Sequence, residues 1–250
     1  MLFSMQPPDP TESLRSLLLS KHVLDEYGAA RLPAGAAVVV FNTESIWHYF
    51  NDPRYRDYVR SCTHVAIDGI GLAGTLRWLG SRVARFHGPE LLTTLIAEKQ
   101  RWTLVLVGGA SHNAVLVNCG VIDRFVELPF TDDVGALRDA VVCGLAQEAL
   151  PDRPVVLLIS LGLPKQEVLA ARLHVDDELL YPNQAPVTVV PVGAAVDFLT
   201  GHRRRAGVAW RRLCLEWLPR LIREPRMIPR VWRSLCGVAL LLRAELRRRV

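Results

Sequence analysis

The chain has 250 residues, half of them apolar, and a net charge of +5, which is enough for one large α/β domain or a domain with an appendage and excludes a disordered protein. The charge is uneven: residues 201–250 hold 14 Arg, no Lys and 3 Glu, about +11, leaving about −6 for residues 1–200. An acidic body with a basic tail favours phosphate, nucleic acid or an anionic membrane surface as partner. Of the 30 basic residues only Lys21, Lys99 and Lys165 are lysine, and arginine can fork onto phosphate oxygens where lysine cannot.

Residues 1–10 carry three prolines and read as a flexible lead-in. From Thr11 to about Tyr27, Leu14, Leu17, Leu18, Val23 and Leu24 fall at roughly helical spacing, and Gly28 is a plausible stop. Ala36 to Phe41 is a continuous apolar run of the kind buried on both faces of a parallel sheet. The pattern recurs at 64–67, 102–107, 155–160 and 187–192, and four of the five runs lead into glycine or Asp-Gly. Helical stretches are expected near 89–99, 111–118, 132–147 and 164–173. Strands alternating with helices predict an α/β fold: a Rossmann-like, mostly parallel sheet flanked by helices, with ligands beyond the carboxyl ends of the strands.

Composition shifts after Thr200-Gly201, and Pro219, Pro225 and Pro229 divide what would otherwise be one long helix. The expected organisation is a lead-in and helix over 1–35, a Rossmann-like body over 36–200, and an Arg-rich, helical, amphipathic appendage over 201–250. Cys62, Cys119, Cys143, Cys214 and Cys236 stand far apart without a CxxC spacing. They read as reduced, mostly buried thiols of a cytosolic chain with no metal or disulfide role. The N-terminus lacks a signal-peptide pattern. The longest apolar run near the other end, Cys236–Leu242, is far short of the ~20 residues a bilayer span needs. The chain is expected to touch a membrane without crossing it.

Asp68 sits where a buried strand opens into a Gly-containing turn, placed either to take a proton from a substrate hydroxyl or to cap the next helix. Gly69-Ile70-Gly71-Leu72-Ala73-Gly74 satisfies GxGxxG after a strand, so a nicotinamide-binding fold is an alternative, although the strand is the second in the chain and not the first. In Gly162-Leu163-Pro164-Lys165-Gln166-Glu167, Pro164 and Glu167 suit a helix start, leaving Lys165 and Gln166 to face a ligand or solvent. Asp197 could hold a sugar hydroxyl or pair with the arginines behind it. Arg220, Arg223, Arg226 and Arg230 are spaced to share one side of a helix. With Trp217, Leu218, Leu221, Ile222, Met227, Ile228 and Trp232 they describe a segment for a membrane interface, or an apolar stripe packed on the body.

Asp68-Gly69, Gly108-Gly109, Pro129-Phe130, GLPKQE at 162–167, VGAAVDF at 192–198 and RRAGVAW…LEWLPRLIREPR at 204–226 occur in an order that resembles the WecG/TagA/CpsF glycosyltransferases, family 26, over roughly residues 36–233. The resemblance implies an inverting, metal-independent transferase without a cofactor. Its donor would be a UDP-sugar carrying N-acetylmannosamine, its uronic acid or a hexose, and its acceptor a polyprenyl-diphosphate-linked saccharide at the inner face of the cytoplasmic membrane. By carry-over Asp68 looks like the general base. Asn42, Gly108, Gly109, Gln166 and Asp197 look like donor-site positions, and Arg205, Arg220, Arg226 and Arg230 like tail arginines that close over the diphosphate. No metal ligand is implied, and a homo-oligomer is compatible. The alternatives are a nicotinamide-dependent oxidoreductase and, more weakly, a nucleic-acid-binding protein, since the body shows no basic-aromatic platform.

Overall fold

The computed structural model describes residues 13–109, 111–147, 150–175, 187–203, 210, 221 and 224–248. The chain begins with helix α1 (Leu14–Ser20), strand β1 (His22–Val23) and helix α2 (Glu26–Ala30). One continuous helix was expected here. Two side-chain caps, Ser13 on the Ser16 amide and Asp25 on the Gly28 amide, instead start separate helices. The intervening residues extend because His22 N–H donates to Thr63 O and Leu24 N–H to Val65 O.

Strand β2 (Val38–Phe41) follows, then α3 (Thr43–Asn51), α4 (Pro53–Ser61), β3 (His64–Ile67) and α5 (Ile70–Trp78). Next come α6 (Gly88–Ala97), β4 (Thr103–Gly108), α7 (Val115–Asn118), β5 (Arg124–Glu127), α8 (Val134–Ala146), β6 (Val155–Ser160), α9 (Lys165–His174), β7 (Thr188–Pro191) and α10 (Ala195–Leu199). A 3-10 turn at Pro225–Met227 leads into α11 (Ile228–Arg247), the longest helix among the described residues. Pro229 falls in its first turn, where the missing N–H costs nothing.

All strand pairs among the described residues are parallel. One set runs β1-β3-β2 and the other β5-β4-β6-β7. A bridge between Ala37 and Val189, with Val189 N–H donating to Ala36 O at 3.0 Å, places β2 beside β7 and joins the two sets. β2, β3, β4 and β7 are buried at every position. That is why, after His64, Thr103 and Thr188 at the starts of β3, β4 and β7, their sequences are apolar with no alternation. Helices α3, α4, α8 and α9 contribute buried side chains to the core on one face, and α6 to that on the other.

The C-terminal helix α11 lies on α3. An added Cβ at Gly237 would fall 2.4 Å from Thr43 O and 3.0 Å from Trp47 N, so only glycine permits this approach. Beside it the buried carboxylate of Glu44 receives Arg233 Nε at 3.0 Å and also Arg230 Nε. Of the described cysteines only Cys62 is buried, its thiol pushed up to about 12 by burial; Cys119 and Cys143 are exposed and Cys236 is intermediate. The expectation of mostly buried thiols is thereby corrected for these positions: Cys119 closes a short helix at the surface and Cys143 lies on the outer side of α8. Cys214 lies outside the described residues.

Candidate active site

A cleft of about 1330 Å³ opens at the carboxyl ends of the strands. Single-ligand pockets usually span ~300–1,000 Å³, so this one has room for more than a compact small molecule. Six of the seven strand ends contribute to its wall: Asn42 after β2, Asp68 after β3, Gly109 after β4, Leu128 to Thr131 after β5, Ser160 to Gln166 at and after the end of β6, and Val192 to Ala195 with Asp197 after β7. Arg230, Ser234 and Val238 of α11 close one side. Among the described lining residues Arg85, Lys165, Arg203 and Arg230 face two carboxylates, Asp68 and Asp197. Three of these cations are also held by carboxylates, Lys165 by Asp132, Arg203 by Asp197 and Glu224, and Arg230 by Glu44, which fixes where their charge stands on the wall.

Asp68 continues the β3 ladder, its N–H donating to Phe41 O at 2.8 Å. The chain then turns through Gly69, whose φ of +81° only glycine adopts easily, into α5. The Asp68 side chain is therefore held at the cleft and does not cap that helix; α5 has no side-chain cap. Its carboxylate Oδ1 lies 2.9 Å from His87 Nδ1. His87 reaches it because Phe86 N–H donates to Ile67 O, tying the irregular segment before α6 to the end of β3. The hydrogen bond to Asp68 raises the imidazole pKa above 6.5, with burial opposing. The sequence reading did not single out His87. The available signal was its place just before Gly88-Pro89 at a helix start, ~20 residues from the carboxylate it meets, which no local pattern connects to Asp68.

Asn42 lines the cleft as the N-cap of α3, its Oδ1 accepting from the Glu44 and Ser45 amides at 2.9 and 3.0 Å. Gln166 is buried in the first turn of α9 and reaches the cleft. Its Nε2 donates to Glu167 Oε1 at 2.7 Å, while its Oε1 has no partner among the described residues. Glu167 is fully buried, and burial pushes its carboxyl from 4.5 up to about 8. Glu167 thus acts inward, fixing the amide of its neighbour. Lys165 donates to Thr131 O at 2.9 Å and pairs with Asp132, tying α9 to the loop after β5.

Asp197 lines the cleft and accepts from Arg203 Nε at 3.0 Å. Gly109 is on the wall, whereas Gly108 is the last residue of β4 and sits behind it. A Cβ there would come 3.0 Å from Ser160 O, so strand packing accounts for that glycine. Of the four tail arginines, Arg230 lines the cleft, Arg226 is exposed in the 3-10 turn away from the wall, and Arg205 and Arg220 lie outside the described residues. Arg223, Trp217, Leu218 and Ile222 lie outside them as well.

The model of the glycosyl transferase WecG/TagA/CpsF family matches residues 20–250. The chain belongs to that family. A WecG/TagA/CpsF glycosyltransferase acts in polysaccharide biosynthesis, and this membership replaces the oxidoreductase alternative built on Gly69 to Gly74. In this chain Gly69 makes the turn after Asp68, and Gly71 lets α5 approach α3, where an added Cβ would fall 2.9 Å from Thr43 Cγ2.

Proposed function

We propose that this glycosyltransferase uses a UDP-sugar donor, carrying N-acetylmannosamine, its uronic acid or a hexose, and transfers the sugar with inversion to a polyprenyl-diphosphate-linked saccharide. The observation that supports this reading is the cleft that brings Arg203 and Arg230 onto one wall with Asp68. The acceptor hydroxyl loses its proton on the Asp68 side of the cleft and attacks the anomeric carbon in line with the departing UDP. The diphosphate gains negative charge as the bond breaks, and guanidinium groups already positioned on the wall, Arg203 and Arg230, stabilise it without reorganising. Gln166, on the wall with Asn42, Gly109 and Asp197, contributes to the donor pocket. The fully exposed ring of Phe130 at the rim offers a face for the base.

The acceptor is a lipid, and α11 supports delivery from a membrane surface. Ile228, Trp232 and Leu235 recur at i, i+4 and i+7 and are 60%, 67% and 62% exposed. Arg226, Arg243 and Arg247 are exposed on the same segment. Apolar side chains flanked by arginine suit the interface of an anionic bilayer, here the inner face of the cytoplasmic membrane. Among the described residues no helix is long and apolar enough to cross a membrane.

Thermal unfolding in the presence of UDP, a panel of UDP-sugars and NAD tests the donor class. A ligand at 100 times its Kd adds ~2.7 kcal/mol, about 5–10 °C for a domain of this size. Stabilisation by UDP and by one UDP-sugar, but not by NAD, is expected. If no uridine nucleotide shifts the transition, the reading is wrong.

A further inference from the structure

On the transferase reading a group in the cleft must accept the proton of the attacking hydroxyl. The structure presents a coupled pair there. His87 Nδ1 faces Asp68 Oδ1 at 2.9 Å, and both residues line the cleft. A carboxylate accepts, so Nδ1 carries the proton and donates, and the lone pair of the neutral ring is left on Nε2. Carboxylate-oriented imidazole is a general-base arrangement in unrelated folds. Imidazole as a class is also better matched than a carboxyl group to proton abstraction near neutral pH.

We propose that His87 is the catalytic base, taking the acceptor's hydroxyl proton on Nε2, and that Asp68 is the positioning residue that fixes the ring's tautomer and stabilises the imidazolium. This rests on the transferase reading and refines the role of Asp68 within it. The hydroxyl proton passes to Nε2 and the oxygen's electron pair forms the new bond to the anomeric carbon. The bond from that carbon to the diphosphate oxygen breaks, and UDP leaves with its electron pair. The imidazolium then returns its proton to water.

The charges around the ring support the assignment. Asp68 at the end of β3 and Glu90 in the first turn of α6 favour its protonated form; Arg85, burial and the N-terminus of α6 oppose it. The remaining cleft charges, Lys165, Asp197, Arg203 and Arg230, come from the other strand ends and α11. The net direction is upward from 6.5, with the Asp68 hydrogen bond as the largest cause.

The test uses H87N, which keeps a donor toward Asp68 but has no basic nitrogen, and D68N. The imidazole of His87 is titrated by NMR in wild type and D68N, its signal assigned by its loss in H87N. UDP affinity is measured by calorimetry. Release of UDP from the donor selected by thermal shift is followed against pH with a synthetic prenyl-diphosphate-linked acceptor. In wild type the acid limb of kcat/KM lies above pH 6.5 and coincides with the His87 titration, which D68N lowers. H87N loses ~10²–10⁴-fold in kcat and keeps its UDP affinity. An acid limb near pH ~4, undiminished kcat in H87N, or a His87 titration unmoved by D68N overturns the base assignment and leaves the transferase reading intact. Failure of wild type to bind UDP overturns both.

Discussion

Arg233 Nε donates to Glu44 Oε1 at 3.0 Å, and the carboxylate it reaches is buried while the guanidinium is partly exposed. Arg230 approaches the other oxygen of the same carboxylate. The asymmetry fixes what mutation will do. Removing both arginines strands a buried charge, whereas removing the carboxylate leaves two cations that water can reach. R230A/R233A should cost about 1–3 kcal/mol in urea unfolding, and R233A alone less than 1 kcal/mol, because Arg230 remains. E44Q should fall between them. Hydrogen exchange over residues 228–247 should accelerate in the double variant, and unchanged exchange there would show that the carboxylate does not hold α11.

Gly237→Ala tests the same contact sterically. The new methyl would lie 2.4 Å from Thr43 O, a backbone atom that cannot swing aside, so α11 must shift. Overpacking of this kind costs ~1–3 kcal/mol, against the modest gain expected from alanine in an unconstrained helix. A net stabilisation measured by chemical denaturation would mean that α11 does not sit on α3 as described.

Glu167 gives a pH dependence of defined sign. Its carboxyl is raised from 4.5 to about 8 by burial, so the folded state holds a proton that the unfolded state releases. The contribution is fully present below pH 4.5 and is lost as pH rises through about 8, at up to ~1.4 kcal/mol per pH unit. E167Q, which has no such proton, should show a flatter profile across that window and gain on wild type as pH rises. Urea unfolding of both proteins at pH 5, 6.5 and 8 measures the difference; parallel curves would dispose of the assignment.

The exposed face of α11 predicts vesicle binding. Wild type should co-float with vesicles containing anionic phospholipid, less so as salt rises. I228E/W232E should reduce co-flotation at least tenfold without changing the unfolding temperature in solution, since both side chains are already more than half exposed. Equal co-flotation of the variant would remove α11 as the membrane-facing element.

The central strands were readable because burial on both faces demands unbroken apolar runs, as Val38 to Phe41 and Val155 to Ile159 display. Strand β5 was not, since Arg124 and Glu127 flank its two apolar residues at the sheet edge. Nor was α3, whose buried positions include Glu44, Ser45 and His48; their burial depends on partners such as Arg233, 189 residues away. The same reason hid His87. Asp68 and Asn42 announce themselves by standing at strand ends and Gln166 by its place in the turn that opens α9, but a residue brought in by a loop returning to a strand carries no periodic mark. Glu167 reads in the sequence only as an acid suited to a helix start. In the fold the first turn of α9 is rotated so that it points inward, against Gln166.

The last strand among the described residues, β7, is not at an edge but in the middle of the sheet, between β6 and the bridge to β2. Until residues 188–191 have been synthesised, β2 and β6 each present an open flank, and among the described residues no strand pairing joins the N-terminal three strands to the other set. The nascent chain therefore completes its sheet by late insertion, with three-quarters of its length already made. Stalling the ribosome before β7 emerges should leave a species that a protease digests readily and that pairs through its exposed strand borders with other chains, a hazard that ends when β7 enters.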